Sequence, residues 1–298
     1  MSLKSRLFKD VWGERLMYAL VIFCISIALV IGIGLYLKSI PLLKVNRSFD
    51  LLLSTEWIPG KGKFGLFPFI MGTLWVTFTA IVIAIPPCLL TAIYLTEYAD
   101  ARVTNFIRPI IDVLAGIPSV IIGVWGIILI VPFIRDIVAP AFGTHSSGYT
   151  ILAGGIVLAV SIFPVIIQLL IELFKTVPLE LREASLALGA TKWQTIKHVT
   201  LRKAGPGVVS AFVIAFSRAF GETMSVIMVT GNVVMVPHSL LDPGYPMPSL
   251  IANNYGEMLS IPMYDSALMF VALILFLIVL IFNLLSRYIL IKVEQSSV

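Results

Sequence analysis

A chain of 298 residues with 59% hydrophobic and 12% charged residues and a mean hydropathy of +1.02 has too little polar surface to fold in water, where about 25% charged residues is usual. Most of it must face lipid. The net charge of +5 sits between apolar runs rather than along one face, which excludes a nucleic-acid surface; Cys24 and Cys88, both in apolar runs, exclude a disulfide framework, and His145, His198 and His238 are too scattered to form a metal set.

In chain order, residues 1–15 come first. Leu3, Leu7 and Val11 recur at helical spacing against Lys4, Arg6 and Lys9, the pattern of an interfacial helix on the cytoplasmic surface. Six apolar runs long enough for a bilayer core follow, at roughly 16–37, 67–95, 107–134, 150–173, 207–230 and 264–287. The first is too long for a signal-peptide core and lacks a small-residue cleavage site, so it reads as a retained, peripheral anchor. Residues 38–66 form an external loop, 67–287 a core of five spans, and 288–298 a cytoplasmic tail. The fold class is all-α membrane protein with six transmembrane helices.

Of the 21 Lys and Arg, fourteen fall on one side of these spans, six on the other, and Arg218 within one. By the positive-inside rule both termini are cytoplasmic. The stretch 231–263, with no Lys or Arg, is then external.

The cytoplasmic loop 175–206 reads as helix, turn, helix. Pro178 suits a first turn, with Glu180 and Glu183 near the positive end of the helix dipole. Gly189 is placed for a left-handed cap. Thr191 can cap a second helix, with Gln194 completing a capping box. Leu181, Ala184, Ser185 and Leu188 share one face, beside which Trp193, Ile196 and Val199 can pack. A bare connector needs no such caps, so the loop reads as a dock for a cytoplasmic partner.

The fifth run holds only two ionisable groups, Arg218 and Glu222. Four apart on a helix, they share a face, and a charge at mid-bilayer costs roughly 2.5–3.5 kcal/mol on insertion scales. They read as a self-neutralising pair or as a polar point on a solute path, where an oxyanion competes for the guanidinium. Gly221 allows a close backbone approach, as do Gly116, Gly123 and Gly126 with Ser119 in the third run. Arg108 and Asp112 read as a surface pair, and Gln168 and Glu172 as lining a cytoplasmic mouth.

Glu183-Ala184-Ser185, three residues, Gly189, then Val199 and Leu201 resembles the EAA loop of ABC-importer permeases, departing at Ser185, Val199 and Arg202. Ser217-Arg218-Ala219-Phe220-Gly221-Glu222-Thr223-Met224, the segment Gly116 to Gly126, and Ser249-Leu250-Ile251-Ala252-Asn253-Asn254 together resemble the PstC family of phosphate-importer permeases over about residues 65–290. That resemblance implies a type I importer permease fold in a bacterial inner membrane. It implies a substrate path at Arg218, Glu222 and Ser119, and coupling to an ATPase through Glu183, Ala184, Ser185, Gly189, Ala190 and Trp193. It also implies a PstA-type second permease as heterodimer partner, two ATPase subunits holding ATP and Mg, an external phosphate-binding protein, and no cofactor on this chain, which is a transporter subunit and not an enzyme. No Gly-x-x-x-x-Gly-Lys-Ser/Thr phosphate loop is present. The alternatives are the same machine carrying molybdate, tungstate or sulfate, or a secondary transporter or channel, which would show internal repeats, more intramembrane acids or an interrupted helix pair.

Overall fold

The computed structural model describes residues 3–45, 47–257 and 260–296. Among them, six helices are long and apolar enough to cross a membrane. Helix α1 (Leu3–Val45) is followed by a short α2 (Ser48–Leu53) and a two-stranded hairpin, β1 (Trp57–Ile58) and β2 (Lys63–Phe64), with Trp57 opposite Phe64. Then come α3 (Phe67–Tyr98), α4 (Ala101–Gly116), α5 (Ser119–Ala141) and α6 (Ile151–Lys175). Last are α7 (Leu179–Ala187), α8 (Lys192–Phe220), α9 (Met224–Ile227), α10 (Met247–Asn254) and α11 (Tyr264–Ser296).

The centre is α3 against α6, with α8 across both. Gly155 of α6 sets the approach: a Cβ there would overlap Thr79 of α3, so the two backbones lie closer than any side chain allows. The buried line Ala80, Ala84, Cys88 and Ala92 on α3 faces Leu158, Ile162, Ile166 and Leu170 on α6. A second cluster closes the opposite end of the bundle from α7. There Trp57 stands edge-on to Phe64, Phe69 and Tyr264, at centroid distances of 5.5, 5.0 and 5.9 Å, and pins the hairpin to the starts of α3 and α11.

Three boundaries differ from the sequence reading. The expected interfacial helix and first span are one helix, α1, which continues to Val45 into the expected external loop. Gly13 does not break it, and Pro41, which deprives Leu37 of its helical donor, is tolerated because Leu42 is buried against the second cluster. The side chains of residues 3–11, on which the amphipathic pattern rests, lie outside the described residues, as do residues 1–2 and the end of the expected tail at 297–298; the rest of that tail continues α11. The expected third span is two helices, broken at Ile117-Pro118: a residue before proline is pushed to extended backbone, and Ile117 has ψ 125°. The fifth span starts earlier, at Lys192, and stops at Phe220, where Gly221 (φ −92°, ψ −4°) leaves the helix.

Helix α1 packs chiefly on α11, and its most apolar stretch holds no buried residue, although Ser39 and Leu42 near its end are buried, which makes it peripheral to the bundle.

Replacing Gly155 by Ala overfills the α3–α6 contact and should cost about 1–3 kcal/mol, read as a lower melting temperature in detergent. Gly34→Ala, where a Cβ meets nothing within 4 Å, should leave melting unchanged.

Candidate functional site

Two places concentrate polar chemistry. The first is the interruption after α8. Ser217, one turn from its end, accepts from Asn283 Nδ2 (2.8 Å) and donates to the Val279 carbonyl (3.5 Å); Val279 lies about 22 Å into α11 at 1.5 Å per residue. On the other flank, Glu222 borders a small void with Thr73 and Thr77 of α3, Thr77 about 15 Å into that helix. In an apolar layer about 30 Å thick, α8 therefore ends near the middle.

Non-helical backbone at that depth persists only where protein or a water-filled cavity satisfies it. The chain does so by joining the segment after α9 to the N-terminus of α6. The amides of Thr150, Ile151 and Leu152, which have no helical partner, donate to the carbonyls of Val229 (3.1 Å), Asp242 (2.9 Å) and Leu240 (2.8 Å). Thr150 caps α6 through Ala153 N at 3.1 Å, and Gly244 N donates to Thr230 O at 2.9 Å. Glu222 Oε1 accepts from Ser225 N at 3.4 Å at the head of α9.

Arg218 and Glu222 accordingly do not share a helix face. The helix stops between them, and they form no ion pair within 4 Å: the ion pairs of the described residues are Lys63–Glu56, Arg135–Asp136, Lys175–Glu172 and Arg182–Glu97. Glu222 is half-buried, and Arg218 is exposed in the single chain with Gly221 and Met224. A guanidinium without an ion-pair partner at this depth requires water or another chain on that face, because lipid would not accept it.

Of the small residues expected to pack, Gly123 and Gly126 do. A Cβ on Gly123 would come within 2.6 Å of Met228 Sδ, and one on Gly126 within 2.5 Å of Val157 and 3.0 Å of Val229, so they seat α9 and its successor against α5. Ser119, half-buried, lies one turn earlier on that α5 face. Within the chain Gly116 and Gly221 have open space: a Cβ at Gly116 meets nothing within 4 Å, and at Gly221 the carbonyls of its own preceding turn, from 3.8 Å. Both sit where a helix ends. Asp112 accepts from Gln168 Nε2 at 2.7 Å instead of pairing with Arg108; these three line, with Glu172, an open pocket between α4 and α6.

The second place is the hairpin of α7 and the start of α8. Gly189 has φ +85°, ending α7 in the left-handed region. Thr191 N donates to Gln194 Oε1 (2.8 Å) and Gln194 N to Thr191 Oγ1 (3.3 Å), closing the capping box. Helix α7 buries no residue. Glu183, Ala184 and Gly189 are exposed, Ser185 and Ala190 half-exposed. Trp193, expected to pack beside α7, and Leu188, on the face it was to cover, are 51% and 90% exposed, and Leu179, Leu181 and Leu186 join them. The reason is that α8 turns its Thr195 and Ile196 into the core, leaving α7 outboard. So much apolar surface on a charged hairpin marks an interaction face.

Sequence reasoning missed how this hairpin is fastened. Arg182 Nη2 donates to the Phe174 carbonyl at 2.6 Å and lies 3.2 Å from Glu97 Oε1 at the end of α3, with side chains 17% and 8% exposed. Lys192 Nζ sits 4.7 Å over the Tyr98 ring, and Ser185 Oγ meets Thr195 Oγ1 at 2.9 Å. Glu97 and Arg182 are remote in sequence, so no spacing rule could pair them.

Residues 88–295 match the family of binding-protein-dependent transport system inner membrane components. The chain is 35% identical to a probable ABC transporter permease protein, YqgH, of Bacillus subtilis, over 96% of this chain and 93% of that one. It is also 35% identical to the phosphate transport system permease protein PstC of Xylella fastidiosa, over 82% of this chain and 79% of that one. Its fold is similar to that of a chain of the MetNI methionine ABC transporter in an inward-facing conformation (TM-score 0.55, 26% identity, covering 77% of this chain and 94% of that chain). Interrupted helices, which the sequence reading reserved for secondary transporters, thus occur here in a chain similar to ABC permeases.

Because Gly189 has open space around it, substituting Val there should cost only the backbone strain of a left-handed L-residue, roughly 1–2 kcal/mol, seen as faster proteolysis between Leu188 and Thr191. Asn, which tolerates that conformation, should stay near wild type.

Proposed function

This chain belongs to the family of binding-protein-dependent transport system inner membrane components, as a permease subunit of an ABC importer, and from that we propose that it forms half of a phosphate path across a bacterial inner membrane. The other half is a PstA-type permease, an external phosphate-binding protein delivers the cargo, and two ATPase subunits carry ATP and Mg. Both termini and the α7–α8 hairpin are cytoplasmic, and the exposed Leu188, Leu186 and Trp193 dock on the ATPase.

The observation that carries the reading is Arg218, exposed at the end of α8 and held in no ion pair among the described residues. A guanidinium offers paired donors matched to a phosphate or carboxylate edge, and a path face gives it the water that lipid denies. Glu222, half-buried and held at the head of α9, forms no ion pair with Arg218 within 4 Å, so an oxyanion meets an available guanidinium. Chemical work by this chain is limited to shaping and polarising the path; the energy comes from ATP binding and hydrolysis on the partners, which move the hairpins and alternate the access of the path.

Arg218→Gln should abolish phosphate uptake in proteoliposomes holding the purified complex, ATP and the binding protein, while the complex still assembles. Loss of the assembled complex would instead make the residue structural. Molybdate, tungstate and sulfate tested in the same vesicles decide between phosphate and another oxyanion.

Docking is tested separately. Leu188→Asp places a charge in the apolar face and should reduce co-purification of the ATPase at least about tenfold, the loss expected for roughly 1.4 kcal/mol; undiminished co-purification would remove the hairpin as the dock.

A further inference from the structure

Helix α7 is attached to the membrane bundle through very little. It buries no side chain, and its charged anchor is Arg182, which donates to the Phe174 carbonyl at the end of α6 and faces Glu97 at the end of α3. Its other side-chain tie, Ser185 to Thr195, leads to α8. Among the described residues, the polar side-chain contact that joins α7 directly to α3 is Arg182–Glu97.

That contact is incomplete. At 3.2 Å the charges attract, yet Glu97 Oε1 and Arg182 Nε both lack a hydrogen-bond partner among the described residues. Two nearly buried charges left short of hydrogen bonds are costly, and alignment recovers much of that cost. The free energy of the pair thus depends on where α7 sits, and a contact whose energy differs between two positions is what couples them.

We propose that Arg182 and Glu97 are positioning residues forming the transmission joint between α7 and α3: movement of the hairpin aligns or splays the pair and so drives α3, whose opposite half carries Thr73 and Thr77 beside Glu222. This rests on the docking of an ATPase at the hairpin. The adjoining Lys192–Tyr98 contact, exposed and carried by α8, keeps the second helix in register with the end of α3 without reporting on α7.

The test uses the full complex of both permeases and the ATPases, reconstituted with the binding protein, and measures phosphate moved per ATP hydrolysed. Glu97→Gln removes the charge and keeps the shape, and Arg182 retains its bond to Phe174. The ATPase should co-purify at the wild-type ratio while phosphate per ATP falls roughly 5- to 150-fold, the usual range of coupling between two sites; Glu97→Asp should recover part of it. Phosphate per ATP within twofold of wild type in Glu97→Gln overturns the joint, and so does loss of the ATPase from that variant, which would make Glu97 a docking or folding residue. Failure of the docking reading itself would appear separately, as ATPase retained by Leu188→Asp.

Discussion

Inside lipid every backbone donor and acceptor must find its partner within the protein, and the architecture follows from where the chain obeys that rule and where it works around it. Six long helices satisfy it internally. The stretch from Gly221 to Tyr245 cannot, and it borrows the unpaired N-terminus of α6, feeding three carbonyls to three amides that would otherwise be orphaned. Two defects cancel, and the result is irregular backbone held at the depth where a cargo must pass.

The same exchange explains the close contacts around it. Gly123 and Gly126 make room for α9 and Val229 against α5, while Gly155 lets α3 approach α6. Small residues in membrane helices gain by close packing because there is no hydrophobic drive between apolar surfaces in lipid. The polar rungs from α8 to α11, Ser210 with Ser286 at 2.6 Å and Ser217 with Asn283, fix the register of the helix that ends at Phe220, and with it the place where Arg218 emerges.

Hydropathy located six spans because lipid demands apolar length, but it measures what lies in lipid, not where a helix ends. Helix α8 begins well before its apolar run because its first turns stand outside the layer, and it stops inside the run because Gly221-Glu222-Thr223 combines weak helix formers with a carboxylate that caps the next helix. The Ile117-Pro118 break carried its own local signal; the break at Gly221 carried a fainter one. Cap chemistry was legible at Gly189 and Thr191, since it depends on neighbours in sequence. Burial was not: helical spacing lets Trp193 pack beside α7, and only the packing of Thr195 and Ile196 decides that it faces out. The Arg182–Glu97 contact was invisible for the same reason, being a product of topology.

Helix α1 stands apart from all of this. It touches the bundle mainly along α11, where Gly32 meets Phe276, and it reaches the second cluster through Leu42. Most of its remaining apolar surface between Leu16 and Leu37 is exposed in the chain. In lipid that surface carries no penalty for standing uncovered, because the hydrocarbon around it is as apolar as the side chains.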